Sequence, residues 1–316
     1  LENGVILSNV VHSQIEHIQY GGVVPEIASK NHEKLIFPIV DRAINESQVD
    51  INNISAVAVT YGPGLVGSLL IGLNFAKGFA QGLNIPLIGV NHLEGHLVSN
   101  FINNKNIEIP YLCLLVSGGH TQIIYVNNNS YKILSDTVDD AAGEAFDKGA
   151  KILNLKYPGG PEIEKKALDG QLNKFNFTIP VVKNNKYNYS FSGIKTALLY
   201  LVKDMTKSEI QNEINNLCAS YQEVIIDTLI QKLLYIINDY NISNISIVGG
   251  VSINKRFRYK TEEISNIYKL NITFPNIQYC TDNAAMIAMA GYIKYNKNEF
   301  SNFNIVPNPR LKLNEK

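Results

Sequence analysis

The sequence predicts an α/β protein of two related lobes with a ligand cleft between them, and three observations carry that expectation. Strand–glycine–helix units occur in both halves: residues 54–60 run into Tyr61-Gly62-Pro63-Gly64, and residues 245–248 run into Gly249-Gly250. A glycine hairpin, Ser117-Gly118-Gly119, separates two apolar runs in the middle of the chain. The length, 316 residues, suits two lobes, since a lobe takes roughly 100–200 residues.

Taken in order, residues 25–45 carry Ile27, Leu35, Ile36, Ile39, Val40 and Ile44 at helical spacing. Residues 54–60, ISAVAVT, form a short β-branched run suited to a buried strand. After the 61–64 turn, Leu69, Leu70, Leu73, Phe75, Ala76 and Phe79 recur as a helix face, which Gly82 and Pro86 close before a strand at 86–90. Residues 111–116 and 120–126 read as a hairpin, 127–130 as a turn and 131–135 as a third strand. A helix is expected over 141–153. The polar, aromatic stretch 173–189 reads as a long exposed connection. A strong helix over 209–240 has its stripe in Val224, Ile225, Leu229, Leu233, Ile236 and Ile237, and the last helix covers 283–295. The expected division is an N-terminal lobe over 1–109, a C-terminal lobe over 110–280, and a helix and tail over 281–316 packing back toward the cleft.

Charge balances, with 28 Lys plus Arg against 28 Asp plus Glu, so any RNA contact must come from a local basic patch. Cys113, Cys218 and Cys280 are odd in number and far apart, which argues against a disulfide framework and for a reducing, cytoplasmic compartment. The longest apolar stretch, 56–90, is broken by Gly62-Pro63-Gly64, Lys77 and Pro86, so no membrane span is expected. No basic start followed by an apolar run marks a signal peptide.

The sharpest chemical constellation is Asn91-His92-Leu93-Glu94-Gly95-His96. Histidines four apart share one helix face, where both imidazoles can reach one metal ion; the alternative is an ordinary histidine pair. A zinc peptidase places its general-base Glu one residue after the first His. Glu94 lies two residues after His92, about 200° around a helix, on the opposite face. Asp282, in Thr281-Asp282-Asn283, is either a plain N-cap of the last helix or a carboxylate completing a two-His-one-carboxylate site. The turns at 62–64, 117–119, 158–161 and 248–250 are singly structural, yet together at strand ends they suggest a nucleotide cleft. No GKS or GKT occurs, which excludes a P-loop. In the acidic run at the start of the 141–153 helix, Asp139 and Asp140 read as helix-capping acids. Asp147 lies inside the helix, where a carboxylate can grip ribose hydroxyls. Lys255, Arg256, Arg258 and Lys260 are either a solvated helix face or an RNA patch.

These segments together resemble the tRNA threonylcarbamoyladenosine transferase family, once described as an O-sialoglycoprotein endopeptidase. The resemblance runs through YGGVVPEIASKNH, YGPGLVGSLLIGLNFAKG, VNHLEGHL, LLVSGGHTQII, DDAAGEAFDKGAKIL, YPGGP, FSGIKTAL, VGGVSINKRFR and CTDNAAMIA. It implies two ribonuclease-H-like lobes of the sugar-kinase/Hsp70/actin type. It matches His92, His96 and Asp282 to the ligands of one divalent metal per subunit, Fe2+ with Zn2+ also fitting. It matches Leu115, Val116, Ser117, Gly118, Gly119, Asp147, Gly160 and Asn254 to substrate-binding positions. The implied reaction passes the threonylcarbamoyl group of threonylcarbamoyl-adenylate to N6 of the adenosine 3′ of the anticodon in tRNAs reading ANN codons, releasing AMP. Implied partners are tRNA and, in bacteria, a paralogous subunit of the same fold and a small ATPase. No catalytic residue emerges.

Family members begin with a strand and turn resembling ILGIETSCDDTAVAI. Here Leu1-Glu2-Asn3-Gly4 falls within what should be the second strand of that first hairpin, so a phosphate-facing turn is expected to be missing, with poor solubility and weak transfer. Three rival readings are a metallopeptidase, opposed by the position of Glu94, a non-catalytic partner subunit, and a sugar or acetate kinase of the same superfamily. The last two are opposed by His92 and His96, and the kinase also by Asp282.

Overall fold

The computed structural model describes residues 1–12, 22–102, 107–128, 130–183 and 185–313. The chain divides into two compact units, one of Leu1–Asn106 with Thr281–Lys316 and one of Ile107–Cys280. Tyr20 and Gly21 of the YGGVVPEIASKNH segment lie outside the described residues.

In the first unit, Asn3 and Gly4 take left-handed backbone (φ 49° and 80°), and Glu2 and Val5 exchange both backbone hydrogen bonds across them. The strand expected at the chain start is therefore a tight turn, because Asn-Gly is the pair that most readily turns this way. Helix α1 (Pro25–Ser47) starts with proline at its first turn, where the missing N–H costs nothing. Strand β1 (Val57–Gly62) starts later than expected because Ile51–Asn53 winds into a 3-10 turn capped by the Asp50 side chain. Helix α2 (Val66–Leu83) connects it to strand β2 (Leu87–Asn91), which pairs parallel to β1. Ala76, Ala80 and Leu87 form the buried core against Val57, Val59, Ile85 and Ile305. Helix α3 (His92–Val98) leaves β2 with no connecting residue.

The second unit carries a five-stranded sheet. Strands β3 (Tyr111–Val116), β4 (Thr121–Val126) and β5 (Tyr131–Ser135) are an antiparallel meander. Helices α4 (Ala142–Ile152), α5 (Gly159–Ala167), α6 (Ser192–Lys203) and α7 (Lys207–Tyr240) follow. Strand β6 (Asn244–Val248) then pairs parallel to β3. Helix α8 (Lys255–Tyr268) leads to β7 (Asn271–Thr273), parallel to β6. The order β5-β4-β3-β6-β7, antiparallel then parallel, is that of a ribonuclease-H-like lobe.

Helix α7 starts with a capping box between Thr206 and Glu209, worth about 1 kcal/mol at such a site. Its middle, residues 217–226, is buried on every side, so the expected single apolar stripe was too narrow a reading. The polar members of that run are satisfied by neighbours that sequence periodicity cannot see. The 173–189 stretch also differs from expectation. Phe175, Phe177, Ile179 and Tyr187 pack on the core, Phe177 stacks edge-on to Tyr221, and Tyr189 is fully buried. Its aromatic residues gain from burial while Asn173, Lys174, Asn176, Lys183 and Lys186 stay exposed. The three cysteines are free and buried.

The chain returns to the first unit at Thr281, where α9 (Ala284–Asn296) packs across β1 and β2. Gly291 permits this: a Cβ there would lie 2.4 Å from that of Ala58. Among the described residues, no helix is long and apolar enough to cross a membrane.

Candidate functional site

Strand β2 is buried along its whole length, and its last residue, Asn91, caps α3 by accepting a hydrogen bond from Leu93 N at 2.9 Å. Asn91 also donates from Nδ2 to the Lys312 carbonyl at 3.0 Å, which ties the helix start to the C-terminal segment. The four-residue spacing then stacks His92 and His96, with ring centroids 4.8 Å apart and planes at 89°. Asp282 meets both: its Oδ1 lies 3.5 Å from His92 Nε2 and 3.2 Å from His96 Nε2. One donor atom from each of the three residues fits within 4.8 Å of the others. Asp282 does not cap the last helix; Asn283 does, accepting from Met286 N at 2.9 Å. That leaves the Asp282 carboxylate for the histidines.

The electrostatics of the trio suit a cation. Burial lowers the pKa of His96 more than Asp282 raises it, so its imidazole is neutral and can offer a lone pair. Desolvation would raise the Asp282 carboxyl, but hydrogen bonds from His92 and His96 outweigh it and hold it far below the usual range. Three-quarters of the Asp282 side chain is open to solvent, so this depression is discounted as a source of stability. His96 is 1% exposed; its Nδ1 is shielded from water without a hydrogen bond, and its Nε2 has only the 3.2 Å contact with the Asp282 carboxylate. An orphaned ring nitrogen costs free energy unless something else binds it, and two imidazoles with one carboxylate are a donor set for iron or zinc. The residues present therefore fit a divalent metal.

Glu94 addresses another neighbour. Its Oε2 pairs with Lys294 Nζ of α9 at 3.1 Å, on the far side of the helix from the histidines.

In the second unit, Leu115 and Val116 lie within β3 with fully buried side chains, so only their backbone can address a ligand. Ser117 N donates to the His120 carbonyl at 2.8 Å, and His120 N donates to Ser117 Oγ at 3.1 Å, which closes the turn. Gly143 N donates to the Ser117 carbonyl at 3.2 Å, and a Cβ on Gly143 would fall 2.7 Å from that oxygen. Gly249, at φ 92°, comes as close to Val116 on the other side. Those two glycines are needed by the fold. Gly118 and Gly119 differ: neither is left-handed, and a Cβ on either would meet nothing within 4 Å.

Asp147 and Asn254 hold backbone. Asp147 accepts from Gly159 N through Oδ1 at 2.7 Å and also accepts from Gly160 N, capping α5 across the Tyr157-Pro158 connection. Burial raises its carboxyl, and those two N–H groups only partly offset this. Asn254 caps α8 through Phe257 N at 2.9 Å and donates to Gln222 Oε1 at 2.7 Å. Asp139 and Asp140 do not cap the helix they precede, whose N-cap Ala141 has no side-chain bond. Asp139 instead accepts from the Ser190 and Ser192 hydroxyls and from Phe191 N and Ser192 N, holding the start of α6. Asp140 pairs with Lys148 and Lys195. Chain proximity favoured the wrong helix, because the sequence does not reveal that α6 begins beside residue 139.

Within the basic cluster, Arg256 and Lys260 are neutralised. Arg256 forms two bonds, of 2.9 and 2.8 Å, to the buried Glu223, and Lys260 pairs with Glu223 and Asp227. Arg258 donates to the Ser252 carbonyl at 2.7 Å. Sequence reasoning missed Gln222 and Glu223. A polar pair inside a strongly apolar helix was the available signal, since buried charge needs a partner.

The family model for tRNA N6-adenosine threonylcarbamoyltransferase matches residues 5–289. A protein of that name from Thermosipho africanus is 46% identical over 315 residues, covering 99% of this chain and 95% of the relative. One from Phocaeicola vulgatus is 48% identical over 309 residues, covering 95% of this chain and 91% of the relative. Among solved structures, HypF from T. kodakarensis aligns with a TM-score of 0.62 at 14% identity, over 84% of this chain and 44% of HypF, a likeness of fold.

Proposed function

Because the chain belongs to the tRNA N6-adenosine threonylcarbamoyltransferase family and is a transferase of tRNA modification, we propose that its donor is threonylcarbamoyl-adenylate and its acceptor N6 of the adenosine 3′ of the anticodon in tRNAs reading ANN codons. The adenosine amine attacks the carbamoyl carbon, the bond from that carbon to the phosphate oxygen breaks, and AMP leaves while the nitrogen loses a proton. The donor is already activated, so the protein's task is chiefly to hold a weak amine against it.

His92, His96 and Asp282 would hold one divalent metal, Fe2+ with Zn2+ as the alternative. Such an ion supplies Lewis-acid polarisation of an oxygen and charge stabilisation. Backbone N–H groups of the Ser117–Gly119 turn would cradle phosphate, with the 158–161 turn and Asn254 holding polar edges of the adenylate. Asp147 offers its remaining acceptor capacity to ribose hydroxyls while it caps α5. Gly118 and Gly119 support this reading, because the fold itself leaves room for side chains there. Partners under this reading are tRNA, a paralogous subunit of the same fold and a small ATPase, working in the cytoplasm.

The observation that carries the proposal is 46% identity to a named transferase over nearly the whole chain, together with the three-residue donor set. The test supplies threonylcarbamoyl-adenylate, tRNA and partner proteins and quantifies modified adenosine. Asp282→Ala should abolish transfer. Gly118→Ala should fold within about 0.5 kcal/mol of wild type yet raise KM for the adenylate. Unmodified tRNA with the wild type, or full rates in both variants, overturns the proposal.

A further inference from the structure

Glu94 is the ionisable member of the 92–96 motif that neither ligates nor takes part in the reaction above. Helix α3 has seven residues, too few to be helical alone, so the placement of its imidazoles depends on what ties it down. One tie is Asn91, bonded to Leu93 N and the Lys312 carbonyl. The other is Glu94. Its side chain is 16% exposed and that of Lys294 24%, so their 3.1 Å pair is poorly screened by water. Gly95, the next residue, lets the helices approach: a Cβ there would lie 2.7 Å from Ile287 Cδ1 and 3.2 Å from Met286 Cγ, both on α9. Asp282 stands two residues before α9, and the Asn283 cap fixes that junction. The segment from Asp282 to Lys294 thus meets α3 on two faces, at the histidines and at Glu94.

We propose that Glu94 and Lys294 are positioning residues for the metal centre: their ion pair locks α3 against α9 and so holds His92 and His96 at a fixed spacing from Asp282. The inference rests on the metal reading given above. A merely structural ion pair would change thermal stability and leave the affinity and geometry of the folded site alone.

The experiment titrates Co2+ into the metal-free full-length chain and follows d–d absorption, which reports coordination geometry without any turnover. Glu94→Gln and Lys294→Met should each weaken Co2+ binding about tenfold, as loss of a residue supporting metal ligands does, and alter the spectrum. Lys294→Arg, which keeps the pair, should bind like wild type. The Glu94→Gln/Lys294→Met double variant should be no weaker than the weaker single, since the two act as one unit. Absence of saturable Co2+ binding in the wild type would remove the metal reading itself. Wild-type binding with unchanged affinity and spectrum in Glu94→Gln and Lys294→Met would overturn this proposal, whatever their melting temperatures. If Glu94→Gln does not fold, the contrast of Lys294→Met with Lys294→Arg decides.

Discussion

Replacing His96 with leucine should make the metal-free protein more stable and abolish its response to metal. His96 is 1% exposed, and its Nδ1 is shielded from water without a hydrogen bond. Such an atom costs about 1–3 kcal/mol relative to a satisfied one. Leucine has no polar atom and a similar volume, and a shape change of this kind costs under about 1.5 kcal/mol. The net expectation for the metal-free first unit is a gain of up to about 3 kcal/mol. The wild type gains about 2.7 kcal/mol from a metal present at 100 times its Kd, whereas the variant, lacking a ligand, gains nothing. The two stability curves should therefore approach or cross as metal is added. Because burial lowers the His96 pKa, the unfolded chain binds that proton more tightly, and metal-free wild type should lose stability as pH falls below about 6.5; the variant lacks this contribution. Urea denaturation followed by circular dichroism, in chelator and then in rising Zn2+, measures the difference, with hydrogen exchange at α3 and α9 assigning it to the first unit. A metal-free variant less stable than wild type, or an equal metal increment in both, would refute the reasoning.

Two further outcomes concern the second unit. Burial would raise the Glu223 carboxyl, but Arg256 and Lys260 outweigh it and hold its pKa below the usual range, so its contribution is complete above the unfolded value of about 4.3 and is lost as pH falls through the folded one. Glu223→Gln should flatten that acid limb in urea midpoints taken from pH 7 to 3, and an unchanged limb would contradict it. Gly149→Ala would set a Cβ 2.3 Å from the ring of Tyr221, which is fully buried and bonded through its hydroxyl to the Ala145 carbonyl at 2.8 Å. The ring cannot yield cheaply, so about 1–3 kcal/mol of stability should be lost, read as a lower urea midpoint; no shift would mean that α4 and α7 separate freely.

The sequence by itself determined the elements whose signal is local. Residues 54–90 announced strand, turn, helix and strand through apolar periodicity and glycine punctuation, and β1, α2 and β2 stand there with ends moved by a few residues. The histidine pair was legible for the same reason, since a four-residue spacing fixes a shared face as soon as a helix forms. The position of Glu94 on the other face followed from the same geometry. What tertiary structure alone decided is which distant groups meet. Asp282 lies 186 positions from His96 and had two readings until the structure put its Oδ1 3.2 Å from His96 Nε2 and gave the cap to Asn283. Asp139 looked like the cap of the nearest helix and holds the start of α6 instead. Residues 173–189 read as an exposed connection because their composition is polar, yet their aromatics found a face of the core to cover. Gln222 and Glu223 were hidden inside an apolar run, and only the approach of Asn254 and Arg256 supplies their partners. Periodicity reports the preference of each residue for water, whereas hydrogen bonds and ion pairs depend on distances of about 3 Å between segments remote in sequence, which only the folded chain sets.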